Sequence, residues 1–166
     1  MWFSLRPVDL GFLDSAEKTY VAERDLAAPR RAVWNAFVDP TSWRHWWPGV
    51  VSASYGASRP PYGVGTFREA RVGRQRFEEQ IVVWDEGRRW GYYIARASVP
   101  IARAQLECTE LEDRGSGTRV RWILAQDPRL LMRVAAPVFP RVMRSMLGQA
   151  MANLDRYLTA GPGAAS

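Results

Sequence analysis

Two hydrophobic periods take turns along this chain. From Lys18 to Leu26, the positions Tyr20, Ala22 and Arg24 alternate with Val21, Glu23 and Asp25, a period of two that predicts a strand. Ala27-Ala28-Pro29 changes the period: Pro29 suits a first helical position, where its missing N–H costs nothing, and Val33, Trp34, Phe37 and Val38 follow at helical spacing. Asp39-Pro40 ends that helix, and Thr41 opens a second short one over Ser42 to Trp47, stopped by Pro48-Gly49. Strand signals then run through Val50 to Tyr55, Gly65 to Val72, Gln75 to Trp84, Arg89 to Ala97, Ala102 to Leu111 and Thr118 to Ala125. Turn chemistry at Gly73-Arg74, Glu86-Gly87 and Arg114-Gly115-Ser116-Gly117 separates them, and connections this short demand antiparallel neighbours.

Turn length sets register. A two-residue turn at Gly73-Arg74 places Arg68 opposite Glu79 and Ala70 opposite Phe77. A two-residue turn at Glu86-Gly87 places Val83 opposite Trp90, Ile81 opposite Tyr92 and Glu79 opposite Ile94. Phe77, Glu79, Ile81, Val83, Trp90, Tyr92 and Ile94 then share one apolar face, and Glu78, Gln80, Val82, Trp84, Arg89, Gly91, Tyr93 and Ala95 a wetter one. In the last hairpin Leu106 and Cys108, with Val120, Trp122 and Leu124, are the expected inward residues. The cover for that face is C-terminal. Phe139, Met143, Met146, Leu147, Ala150, Met151, Leu154 and Leu158 recur at spacings of three and four, with Arg141, Arg144, Gln149 and Arg156 opposite. Pro137 and Pro140 start this helix near residues 137 to 141, after a lead-in turn or short helix over Pro128 to Ala136, and Gly161-Pro162-Gly163 closes it. The fold class is α+β: a curved antiparallel sheet of about seven strands, two short helices after the first strand, and a long C-terminal helix over the concave face. One domain spans residues 18–158, behind an N-terminal extension over 1–17 and ahead of a tail over 159–166.

Composition narrows the chemistry. The 166 residues include 8 Trp, one Cys (Cys108) and one His (His45), so neither an intramolecular disulfide nor a His/Cys metal cluster is expected, and no metal or cofactor is assigned. The net charge of +6 comes almost wholly from 22 Arg with a single lysine, Lys18. These arginines are dispersed, whereas a nucleic-acid binder concentrates its charge on one face, so a nucleic-acid partner is not expected. No apolar run reaches the roughly 18 residues of a membrane span, and the start has no leader-like pattern, which leaves a cytoplasmic protein, monomer or homodimer, as the expectation.

Trp34, Phe37, Trp47, Tyr55, Phe77, Ile81, Trp90, Leu106, Trp122, Met143, Leu147, Met151 and Leu154 are candidates to line a space between sheet and helix; alternatively they simply fill it. Three polar residues are candidate catalytic groups on the same face. Arg68 can clamp an oxygen, Glu79 can move a proton, and Tyr92 can donate one to a carbonyl; the alternative for Arg68 and Glu79 is a structural ion pair. His45 is either an acid/base at the mouth or an exposed residue beside an aromatic lid, and Cys108 reads as a small buried hydrophobe.

The motif series Ala27-Ala28-Pro29-x-x-x-Val33-Trp34, Asp39-Pro40-x-x-Trp43, Trp46-Trp47-Pro48-Gly49-Val50, Gly63-x-Gly65-Thr66, Trp84-Asp85-x-x-Arg88-Arg89-Trp90-x-Tyr92 and Gly117-Thr118-Arg119-Val120-x-Trp122 resembles the polyketide cyclase/dehydrase branch of the SRPBCC superfamily. The element order is similarly that of the helix-grip fold of START and pollen-allergen-like proteins, and the likeness covers residues 18 to 158. Trp2-Phe3-x-x-Arg6-Pro7-Val8-Asp9 looks like an extension of uncharacterised actinobacterial members. The resemblance implies an apolar cavity for a hydrophobic or aromatic small molecule such as a lipid or polyketide. It also leaves open a cyclase, aromatase or dehydratase activity, and a toxin-like, ribosomal or quinone-pathway partner role.

Overall fold

A computed structural model describes residues 1–129 and 139–160. In chain order the elements are β1 (Phe3–Ser4), α1 (Phe12–Ser15), β2 (Lys18–Leu26), α2 (Arg30–Val38), a 3-10 turn (Pro40–Ser42), α3 (Trp43–Trp46), β3 (Val50–Ser54), β4 (Phe67–Val72), β5 (Gln75–Asp85), β6 (Arg89–Ala97), β7 (Ala102–Arg114), β8 (Gly117–Pro128) and α4 (Phe139–Thr159). The sheet is antiparallel in the order β2-β8-β7-β6-β5-β4-β3, with β1 added against β6. The lead-in expected over Pro128 to Ala136 lies largely outside the described residues, as does the tail beyond residue 160.

Local chemistry accounts for the corners. Gly73 adopts φ +55° in the β4–β5 turn, a conformation that L side chains resist. At Gly117 an added Cβ would sit inside the van der Waals sphere of the Leu26 carbonyl oxygen, so only glycine lets β8 leave its turn so close to the end of β2. The far end of α4 pins the β2–α2 corner: Asp155 Oδ1 accepts the backbone N–H groups of Ala27 and Ala28 at 2.8 and 3.4 Å. Asn153 Nδ2 donates to the Trp46 carbonyl at 3.1 Å, tying α4 to α3. Leu147, Ala150, Met151 and Leu154 of α4 are buried against Phe37, Trp46, Trp90 and Trp122, and this cluster is the main core. No helix among the described residues is long and apolar enough to cross a membrane.

The β4–β5 register is the one set by a two-residue turn, with Arg68 opposite Glu79. The β5–β6 hairpin differs. Its turn holds three residues, so Asp85 faces Arg89, and an irregularity between Ile81 and Val83 restores Ile81 opposite Tyr92. One extra residue in a strand flips everything beyond it. Val83 therefore packs on the convex side of the sheet, and Trp84, expected on the wetter face, packs edge-on against Trp34 on the concave side.

The convex side is not simply wet either. Phe12 and its neighbours Val8, Leu10 and Leu13 cover Val83, Tyr93, Ala104, Leu106, Cys108 and Ala125 in a second apolar cluster. Upstream of it the chain enters the sheet itself: Phe3 and Ser4 pair with Ala97 and Arg96, Leu5 N–H donates to Ala95, and Arg6 N–H donates to Arg103. Strand β7 pairs with β6 only between Arg89 and Tyr93, so these N-terminal residues occupy the gap where the two strands separate.

Candidate functional site

Between the sheet and α4 lies a cavity of about 310 Å³. Its open end is apolar and half-buried, formed by Val50 and Ala53 of β3, Val72 of β4, Phe77 of β5, and Met143 and Met146 of α4. Trp43 and Trp47 close one wall. The deep end is polar, because Arg68, Glu79, Tyr92 and Glu107 form a row across the adjacent strands β4 to β7, with Gln105 and Gln126 beside it. All six are buried, Arg68 with 1% and Glu79 with 4% of its surface exposed.

Arg68 Nε donates to Glu79 Oε2 at 2.5 Å. The guanidinium also sits over three aromatic rings, its Cζ lying 4.1 Å from the centroid of Trp43, 4.5 Å from Tyr92 and 4.8 Å from Trp90, close enough for cation–π attraction. Burial alone would favour a neutral guanidine, but the charge and hydrogen bond of Glu79, together with Tyr92 and Tyr55, outweigh it and hold Arg68 protonated. Neutralising Glu79 would strand a buried guanidinium, so the pair persists as an ion pair. One of its donors, Arg68 Nη1, has no hydrogen-bond partner among the described residues, and neither does Trp90 Nε1.

Glu107 is held by Trp122 Nε1, which donates to Oε2 at 3.1 Å, by Gln105 Nε2, which donates to Oε1 at 3.3 Å, and by the Tyr92 hydroxyl. Burial, then the nearby charge of Glu79, pushes its carboxyl up to about 7, against the opposing pull of Tyr92, Trp122 and Arg68. The Tyr92 phenol is driven well above its usual value by burial and by both carboxylates. The deep end therefore offers a fixed cation, an anion bound to it, and a carboxyl raised to near neutrality beside a phenol. That is the equipment of general acid–base chemistry at an oxygen or an acidic C–H. Among the described residues no three His, Cys, Asp or Glu side chains gather to hold a metal ion.

The candidates named from sequence divide into groups. Arg68, Glu79, Tyr92, Trp47, Phe77 and Met143 line the cavity. Trp34, Phe37, Ile81, Trp90, Trp122, Leu147, Met151 and Leu154 lie in the surrounding core and take no part in the lining. Leu106 is on the convex side with Cys108, under Phe12. Tyr55 faces away as well, donating its hydroxyl to the Val38 carbonyl at 2.5 Å and stacking on Tyr62. His45 is exposed, accepts from Arg44 Nε at 3.1 Å, stacks on Tyr157 and takes no part in the cavity lining. Burial pushes the Cys108 thiol up to about 12, which leaves it unreactive.

Glu107, Gln105, Gln126 and Trp43 are cavity residues that the alternation rule passes over. On β7, Gln105, Glu107 and Thr109 alternate with Leu106 and Cys108, and hydrophobicity assigns the apolar set inward. The turn gives the other answer. A two-residue connection at Gly115-Ser116 pairs Thr109 with Trp122 and Glu107 with Leu124, so the polar set shares the face of Trp122.

Comparison with known proteins agrees with this architecture. A protein of Mycobacterium tuberculosis (strain ATCC 25618 / H37Rv), itself uncharacterised, is 26% identical over 154 residues, covering 92% of each chain. Among solved structures, the fold is shared with a Thermus thermophilus protein, TTHA0849, at a TM-score of 0.69 and 18% identity, over 86% of this chain and 98% of that one. It is shared with Ara h 8.0201 at 0.66 and 16%, over 87% and 99%. DynU16, a protein of the dynemicin biosynthetic locus, matches at 0.64 and 16%, over 87% of this chain and 48% of its own. Residues 18–159 match the family described as polyketide cyclase / dehydrase and lipid transport, and the chain therefore belongs to that family of the SRPBCC superfamily.

Proposed function

We propose that this protein binds a hydrophobic or aromatic small molecule in the cavity between sheet and α4, with the polar end of the ligand against Arg68 and Glu107. The observation that carries the reading is the cavity's polarity gradient: an apolar, half-open entrance and a buried polar floor. Its volume of about 310 Å³ stands at the small end of ligand sites, which run from roughly 300 to 1,000 Å³ and combine apolar walls with a few fixed polar groups. A fused-ring metabolite suits that space better than a two-chain lipid. The test is equilibrium dialysis of the purified protein against naphthalene, a rigid two-ring probe. Saturable binding at one site per chain supports the reading, and binding that never saturates removes it.

A second reading, catalysis resembling that of a cyclase, aromatase or dehydratase, is favoured by one observation, the contact between Tyr92 and Glu107 beside Arg68. In that role Glu107 takes a proton from an acidic C–H, Arg68 stabilises the enolate oxygen that develops, and Tyr92 returns a proton to it. Glu107→Gln would then abolish turnover while retaining binding.

A further inference from the structure

We infer that the cavity floor selects an uncharged, oxygen-bearing ring system over an anionic one: the ligand places a carbonyl-type oxygen on Arg68 Nη1 and a hydroxyl on Glu107. The inference rests on the ligand-binding reading above and narrows it to a chemical class, neutral hydroxylated ketones rather than carboxylates such as fatty acids.

Charge and hydrogen bonding both lead there. A buried arginine in an apolar cavity suggests an anion site, but the positive charge of Arg68 is already taken by Glu79 at 2.5 Å. The three rings around the guanidinium hold it in that position, so reaching a new anion would sacrifice both the ion pair and the cation–π contacts. A second carboxyl, Glu107, stands in the same row. An incoming carboxylate would thus become the third acid around one guanidinium, in a site with little water to screen the repulsion. A neutral acceptor adds no charge. It also satisfies a group that otherwise lacks a partner, since Arg68 Nη1 is fully buried with no acceptor among the described residues, a state that costs free energy until something fills it. Glu107 complements it. Its carboxyl oxygens accept from Trp122 and Gln105, with the Tyr92 hydroxyl beside them, and a carboxylate has about four lone-pair sites, so the described residues leave room for a ligand hydroxyl.

The test is equilibrium dialysis at pH 7.5 with four probes sharing one ring system: naphthalene, 2-acetonaphthone, 6-hydroxy-2-acetonaphthone and 2-naphthoate. The hydroxyketone is expected to bind tightest, and 2-naphthoate about tenfold or more weaker than 2-acetonaphthone, because each pays the same apolar transfer and they differ in the charge brought to the floor. Glu79→Gln removes the counter-ion and leaves Arg68 free, so it should reverse the order of 2-naphthoate and 2-acetonaphthone, each read relative to naphthalene on the same variant. If Glu79→Gln does not fold, as judged by its melting curve, Glu107→Gln replaces it; there 2-naphthoate should gain several-fold relative to naphthalene on the same variant. Wild-type protein that binds 2-naphthoate as tightly as 2-acetonaphthone overturns the inference and leaves the cavity reading standing. Failure of all four probes, naphthalene included, overturns both.

Discussion

The proton on Glu107 should leave a thermodynamic trace that does not depend on knowing the ligand. Its carboxyl has an ordinary value of 4.5 and is pushed to about 7 in the folded protein, first by burial and then by Glu79, while Tyr92, Trp122 and Arg68 pull the other way. Between those two values the folded chain retains a proton that the unfolded chain has released. Stability on this account is full below pH 4.5, falls as pH rises, and has lost its whole increment above about pH 7. At about 1.4 kcal/mol per pH unit, the window from 4.5 to about 7 corresponds to about 3 kcal/mol. Glu107→Gln cannot titrate. Its altered hydrogen bonds to Tyr92 and Trp122 shift stability by about 1 kcal/mol, but by the same amount at every pH. The stability of the variant relative to wild type should therefore rise by about 3 kcal/mol between pH 4.5 and pH 8, which is about 6–12 °C in Tm for a chain of this size. Urea unfolding followed by tryptophan fluorescence at five pH values, with equal m-values for both proteins, measures that difference. Glu79 and the surface acids titrate in both proteins and cancel to first order. Parallel wild-type and variant curves would refute the reasoning, since Glu107 would then be an ordinary carboxylate and the floor would hold no exchangeable proton.

Three other substitutions separate wall from core. Leu106→Ala should cost about 2–5 kcal/mol in urea unfolding, because Leu106 is fully buried under Phe12, yet leave naphthalene affinity unchanged; weakened binding would place it in the cavity wall after all. Ala70→Phe projects a ring into the cavity that Ala70 lines and should lower naphthalene affinity about tenfold or more while the melting temperature holds, because a filled pocket has no apolar surface left to offer. Gly117→Ala forces a methyl into the Leu26 carbonyl and should destabilise by about 3 kcal/mol or more in thermal unfolding, a cost in the range reserved for backbone clashes that neither neighbour can relieve.

How far the fold could be read from residues alone depends on which physical signal each element carries. Strand β2 and strand β6 have the bounds that alternation predicts, and the Arg68–Glu79 pairing follows from one glycine-containing turn. The β5–β6 hairpin fails the same arithmetic because its turn holds a third residue, and the irregularity near Val82 then compensates; neither leaves a mark in hydrophobicity. The β7 strand is ambiguous for a different reason. Both of its faces are covered, one by α4 and the aromatic core, the other by Phe12 and its neighbours, so apolar residues are rewarded on the side away from the cavity and Gln105 and Glu107 are retained on the side facing it. Hydrophobicity finds burial, and here burial does not mean the ligand side. The large side chains named as wall candidates, Trp90 and Trp122 among them, form the packed bed around the cavity, while small residues such as Ala53 and Ala70 create the space. A sequence pattern that seeks bulk overlooks positions whose contribution is lack of bulk.

The N-terminal residues have a practical consequence for anyone trimming the chain to its family match at 18–159. Residues 3–6 are an inlay: they supply the hydrogen bonds that β6 and β7 do not make to each other between Ala95 and Arg103, and Leu5 is buried where they do so. A shortened protein would carry a slit through the middle of its wall rather than a frayed margin, with the Ala95 and Arg103 carbonyls losing the N–H groups they now accept. Homology marks where relatives can be aligned, and in this molecule the hydrogen-bonded sheet extends upstream of that boundary.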